Sequence, residues 1–132
     1  MKVAIVGSSV LTNPPYKARF EEILDRELTG LGADTILLPP NRKFNLFVKE
    51  IGLRRQIQTT IMTPSRPSWI GPVAQSVRKD KARQLHAEFI VNQADHILFV
   101  ESEEDRPGVA YRKFIEVAKR KGVPITKFRM SR

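Results

Sequence analysis

Four acids fall within five residues at Glu101, Glu103, Glu104 and Asp105, directly after the apolar run Ile97–Val100. A carboxylate at the end of a buried strand can serve as nucleophile or general base. Glu101 is the best placed of the four, while a run of acids in a loop is equally a solvated surface. A second set of residues suits an anion. Lys2–Val6 runs into Gly7-Ser8-Ser9, a small-residue turn where a ligand can approach the backbone and a following helix start can offer N–H groups to phosphate. The turn is neither GxGxxG nor a P-loop. Arg42, Arg66, Arg78 and Arg106 are guanidiniums, whose forked donors match phosphate. Trp69 shares the proline-rich stretch Thr63–Pro72 with Arg66, and the pair suits stacking on a base. The alternatives for Trp69 are a core plug or a subunit contact. Gly108 offers a further close approach before the last helix.

What the composition excludes is as useful. There is no cysteine among 132 residues, so disulfides, thiol catalysis and zinc–thiolate sites are ruled out. His86 and His96 stand apart and suggest no transition-metal site, and no cofactor is expected. No apolar run approaches the roughly 20 residues that span a bilayer, and the opening MKVAIVGSSV turns polar too soon for a secretory signal. The expectation is one soluble, cytoplasmic domain over 1–132 with no membrane partner. The net charge of +9 is uneven: residues 39–132 carry nineteen basic and nine acidic side chains. That surplus favours anionic partners.

These residues must be positioned by alternating strands and helices. Lys2–Val6, Thr35–Leu38, Ile57–Met62 and Ile97–Val100 read as strands, and Val123 and Ile125 open a fifth. A helix from about Pro15 to Leu31 aligns Phe20, Ile23, Leu24, Leu28 and Leu31 on one stripe. Pro39-Pro40 stops the second strand. Asn41 can cap the next helix, whose buried face is Phe44, Phe47, Val48 and Ile51. Arg42 and Lys43 then lie at its positive end, where a structural cation is disfavoured and an anion would give relief. Val73–Asn92 is the longest helix, with Arg78, Lys79, Lys81 and Arg83 in its first half. Glu101–Gly108 reads as a loop, a helix follows, and Gly122 and Pro124 end it. Lys127–Arg132 reads as a basic, fraying end. Five strands and four helices in alternation predict a three-layer Rossmann-like α/β sandwich, with a parallel sheet in the order 3-2-1-4-5. Its ligands would sit outside the carboxyl ends of the strands.

Several stretches together resemble the SLOG superfamily, a Rossmann-like group that includes Lonely Guy enzymes, Smf proteins and small stand-alone nucleotide sensors of the YspA type. MKVAIVGSS is similar to the group's first strand and turn. TIMTPSRPSWIGPVAQSVRKDKARQLHAEFIVNQADHILFVES resembles its third strand, proline- and tryptophan-bearing loop, basic helix and strand ending in an acid. RPGVAYRKFIEVAKRKGVPI resembles the closing element of small members. Two departures matter. Leu38-Pro39-Pro40-Asn41-Arg42 lacks the group's glycine-rich turn. In Arg106-Pro107-Gly108-Val109-Ala110-Tyr111-Arg112, Val109 and Arg112 stand where hydrolytic members carry threonine and the water-activating glutamate.

The resemblance therefore implies non-catalytic binding of a nucleotide-derived ligand, such as a cyclic oligonucleotide or an ADP-ribose-type signal, for sensing or for sequestration of the kind a phage sponge performs. Gly7, Ser8, Ser9 and Gly108 would meet phosphate. Arg42, Arg66, Arg78 and Arg106 would be counter-charges, and Trp69 would stack the base. The alternative is an N-glycosidic hydrolase or deoxyribosyltransferase built on Glu101. A second alternative is nucleic-acid binding through the basic helix, although no helix-turn-helix or RNP pattern is present. A homo-oligomer is expected, with Trp69 and Tyr111 as contact residues.

Overall fold

A computed structural model describes residues 1–62, 86–104 and 109–131. Each short apolar run becomes a parallel strand, because helices on both faces of the sheet give its side chains two apolar sides to bury. The strands are β1 (Lys2–Val6), β2 (Thr35–Leu38), β3 (Gln58–Ile61), β4 (His96–Ser102) and β5 (Ile125–Met130). They form one parallel sheet in the order β3-β2-β1-β4-β5. The helices are α1 (Lys17–Leu31), α2 (Arg42–Arg54), α3 (described over 86–93) and α4 (Val109–Lys121). This is the expected Rossmann-like α/β sandwich.

Alternation along each strand builds a core on either face. Ile5, Ile36, Leu98 and Val100 meet Phe20, Leu24, Phe44 and Ile51 from α1 and α2. Val6, Leu37, Ile97 and Phe99 meet Ile90 and Val91 from α3 and Phe114 and Val117 from α4. The Phe20 ring stacks on Phe44 and Phe47, with centroids 5.6 and 5.5 Å apart, which fixes α1 against α2. Gly32 (φ 65°) and Gly122 (φ 71°) take the left-handed conformation that ends α1 and α4, a conformation that favours glycine. Among the described residues, no helix is long and apolar enough to cross a membrane.

Some of these expectations need correction. The fourth strand does not stop at Val100: β4 includes Glu101 and Ser102, because β5 runs beside it and pairs Glu101 with Arg129 and Ser102 with Met130. The basic end is not frayed, since Lys127–Met130 belongs to β5. His96, for which the sequence offers no evident partner, has its Nε2 2.7 Å from the Thr126 hydroxyl. As expected, α1 does not directly follow Gly7-Ser8-Ser9; a 3₁₀ turn at Ser9–Thr12 lies between them. β3 is also two residues shorter than the stretch Ile57–Met62 read as a strand.

Candidate functional site

Right-handed crossovers place every strand exit, and the starts of α1, α2 and α4, along the carboxyl edge of the sheet. Helix starts ordinarily favour acids, because the first N–H groups carry partial positive charge. Here none of these three first turns holds an acid. Instead α1 opens with Lys17 and Arg19, α2 with Arg42 and Lys43, and α4 with Arg112 in its first turn. Dipoles and side chains therefore add in sign at each of these three helix starts.

The β2–α2 junction is its best-built part. Asn41 caps α2, its side chain accepting from the Phe44 N–H at 3.5 Å, as the sequence suggested. Lys43 Nζ donates to Asn13 Oδ1 at 2.8 Å, tying the first turn of α2 to the loop before α1. Arg42 is exposed and forms no ion pair among the described residues. The carboxamide of the buried Asn45 donates to the Pro39 carbonyl at 2.9 Å.

Gly7, Ser8 and Ser9 lie beside this junction. A methyl group at Gly7 would sit 2.8 Å from the Phe44 ring and 3.0 Å from the Val100 carbonyl. Packing of α2 against β1 and β4 therefore demands a glycine there. Ser8 and Ser9 are half-buried and open the 3₁₀ turn: the Ser8 carbonyl accepts from Leu11 N at 3.2 Å, and the Ser9 carbonyl from Thr12 Oγ1 at 2.7 Å.

On the other side of Gly7, the β4 exit has a different character. Glu101 has a side chain only 4% exposed, which for a carboxylate requires pairing. Arg129 Nη1 donates to its Oε1 at 3.0 Å, and Lys127 Nζ lies 3.5 Å from the same oxygen. Glu103 and Glu104 are exposed; Glu103 N donates to the Met130 carbonyl at 2.8 Å, and Glu104 N to Ser102 Oγ at 3.2 Å. The acid cluster thus divides into one buried, paired carboxylate and two exposed turn residues. Asp105 lies outside the described residues, as do Arg66, Trp69, Arg78, Arg106 and Gly108 and most of the basic helix. His86, read as a helix-surface or partly buried residue, is partly buried and donates from Nε2 to the Met62 carbonyl at 2.8 Å.

Sequence reasoning missed Lys127 and Arg129 as partners of Glu101, and Lys43 as a cross-link. The available signal was the pattern Lys127-Phe128-Arg129 opposite a strand ending in an acid. In a parallel pair, alternate residues share a face with the neighbouring strand.

Two clear titration shifts lie at the opposite, amino end of the sheet. Asp34 is held below the usual carboxylate range, first by its hydrogen bond to the amino terminus and then by one to Thr35. Arg54 is raised, chiefly by its hydrogen bonds to Glu21 and Glu50. An open trough along α1 has three carboxylates in its lining (Glu21, Glu22 and Asp25) against two guanidiniums, Arg26 and Arg55. It is a poor fit for an anion.

Comparison with protein-family models and with curated proteins gives no match.

Proposed function

We propose that the chain binds a nucleotide-derived small molecule at the carboxyl edge of its sheet, as a sensor or a sequestering protein rather than an enzyme. One observation carries this reading: α1, α2 and α4 all begin at that edge with cations and without acids. Such an arrangement disfavours folding slightly at each helix start, and a bound phosphate would reverse its sign. Ser8 and Ser9 supply small neighbours, and Arg42 supplies a guanidinium that has no ion pair among the described residues. A cyclic oligonucleotide or an ADP-ribose-type compound has the required charge and the ring that Trp69 would stack. The resemblance to small SLOG sensors points the same way.

Glu101 is the carboxylate an N-glycosidic enzyme would use. Two cations hold its Oε1 in a nearly closed environment, and that arrangement suits a structural ion pair. This favours binding without bond cleavage.

The test is a thermal-shift screen against mononucleotides, ADP-ribose compounds and cyclic di- and trinucleotides, with product analysis of every hit. A ligand present at about 100 times its dissociation constant should add about 2.7 kcal/mol of stability, which is several degrees for a domain of this size. A hit recovered unchanged supports binding. A hit recovered cleaved, with cleavage lost in Glu101→Gln, would replace this reading with the enzymatic one. No small-molecule shift, together with DNA or RNA binding that falls steeply with salt, would sink it in favour of nucleic-acid binding.

A further inference from the structure

The β2–α2 junction holds a polar atom that the fold leaves unused. Asn45 is the fourth residue of α2 and only 5% exposed. Its Nδ2 donates to the Pro39 carbonyl at 2.9 Å, while its Oδ1 is closed to solvent and has no hydrogen-bond partner among the described residues. The bond to Pro39 fixes the orientation of the carboxamide, since a turned group would set two oxygens against each other. A buried acceptor without a donor has lost its hydration and gained nothing in return. Tyr16 Oη and Thr59 Oγ1 are unpartnered too, but a hydroxyl can donate or accept and so does not specify its partner. Asn45 Oδ1 can only accept, so what it lacks is an N–H or O–H group.

The same helical turn suits an anion. The Phe44 N–H goes to the Asn41 side chain and the Asn45 N–H to the Asn41 carbonyl, so the N–H groups of Arg42 and Lys43 stand outside the helix's own bonding. Arg42 is exposed with no ion pair among the described residues, and Lys43 is bonded to a neutral carboxamide, that of Asn13. Arg42 and Asn45 are three residues apart, which on a helix puts their Cβ atoms about 5–6 Å from each other. A phosphate held by this first turn would therefore lie within one sugar's reach of the unpartnered acceptor.

We propose that this junction selects ribonucleotide phosphates in which a free hydroxyl stands on the carbon next to the phosphorylated one, with the phosphate at the start of α2 and the hydroxyl donating to Asn45 Oδ1. The proposal rests on the nucleotide reading of the carboxyl edge and narrows it. Distance selects the donor. A ribose hydroxyl beside a phosphate ester is only a few bonds from the phosphorus, as the spacing of Arg42 and Asn45 requires. The exocyclic amine of a base is separated from the phosphate by the whole sugar. A 3′–5′ linked cyclic oligoribonucleotide carries such a hydroxyl, at the 2′ carbon, beside each phosphate. The phosphates of ADP-ribose sit on 5′ carbons, whose neighbouring carbon bears no hydroxyl. The junction thus favours the first ligand over the second. Because Oδ1 is closed to solvent, a ligand must shift the surrounding turn to reach it, and only one that brings a donor offsets that shift. Asn45 is then a determinant of specificity more than of affinity, since a site built to hydrogen-bond a hydroxyl rejects the analogue that lacks it.

The test is titration of the full chain, labelled with nitrogen-15, followed by amide chemical shifts, which detect even weak binding. The probes are ribonucleoside 3′-monophosphates, cyclic di-AMP and cyclic di-GMP, the 2′-deoxy counterpart of each, and ADP-ribose. The expected result is that at least one ribo probe binds at least about tenfold more tightly than its 2′-deoxy counterpart and shifts the side-chain amide signals of Asn45. Asn45→Leu, which keeps the branching of the side chain without its polar atoms, should bind the ribo and deoxy forms equally. If that variant fails to fold, the ratio read on the wild-type chain still decides. Equal binding of ribo and deoxy probes by the wild-type chain, or binding of ADP-ribose alone, would overturn this proposal and leave the nucleotide reading standing. Binding of none of the probes would overturn both. A preference that survives Asn45→Leu would place the acceptor for the hydroxyl elsewhere and end the role assigned to Asn45.

Discussion

At the β2–α2 junction and at the β4–β5 exit, two clusters of cations lie along the same edge of the sheet and differ in one respect. Lys127 and Arg129 share a buried carboxylate, with Glu101 opposite Arg129 in register. Arg42 sits at the positive end of α2 with no acid in the first turn and no ion pair among the described residues. The first cluster is complete within the chain. The second shows no internal counter-charge among the described residues. Basic residues in a sequence are therefore weak markers of a site until the fold has shown which of them it pairs internally. Here it pairs the cations of β5 and, among the described residues, gives Arg42 no carboxylate.

The largest effect should come from breaking the completed cluster, and its asymmetry is the informative part. Replacing Lys127 and Arg129 together with Met strands the Glu101 carboxylate in its nearly closed position. Leaving a buried charge without its partner costs about 3–5 kcal/mol. Glu101→Gln leaves two half-exposed cations that can turn to water, so the loss should be about 1 kcal/mol, in the range of a single hydrogen bond. Urea unfolding of the three proteins measures the difference. Equal losses would mean that Glu101 is not the group whose burial needs compensation, and the contrast between the two clusters would fail.

Gly7 separates the two regions, with the Phe44 ring on one side and the Val100 carbonyl on the other. Gly7→Ala forces its methyl group into both and should cost about 1–3 kcal/mol, as overpacking does. If the variant is instead as stable as wild type, the ring moves freely and the junction is looser than its packing implies. Ligand binding separates two roles for this glycine. A loss of affinity larger than the loss of stability would mean that the ligand also approaches the Gly7 backbone.

Much of this was legible in the sequence, and the parts that were not share a cause. Apolar runs and helical stripes are local, so the strand order, the Asn41 cap and the Gly122 stop could be read directly. The pairing of Glu101 with Arg129 spans 28 residues and depends on register between two strands, which no local pattern encodes. Glu101 therefore looked like the first residue of a polar loop when it is the sixth of a seven-residue strand. Gly7 was legible as a required glycine for a different reason. A small-residue turn after the first strand suggests ligand approach, and the fold fills that space with Phe44. Ser8, Ser9 and Arg42 come together at the edge as the topology requires, because residues that follow neighbouring parallel strands meet at their carboxyl ends.

The smallest effect on stability should be the most telling for function. Arg42→Glu places an acid in the first turn of α2, where the helix dipole favours it, and should raise stability by about 0.3–1 kcal/mol. Lys43 keeps its bond to Asn13 and Asn41 keeps its cap, so the junction should stay intact. The same change puts a negative charge where the ligand's phosphate would lie, and binding of any hit from the nucleotide screen should fall at least about tenfold. Stability and affinity thus move in opposite directions from one substitution. A residue kept for folding would move both together or neither. If Arg42→Glu lowers stability, a counter-charge for Arg42 already exists within the chain. The β2–α2 junction would then belong with the β4–β5 exit, as a second cluster completed by the fold.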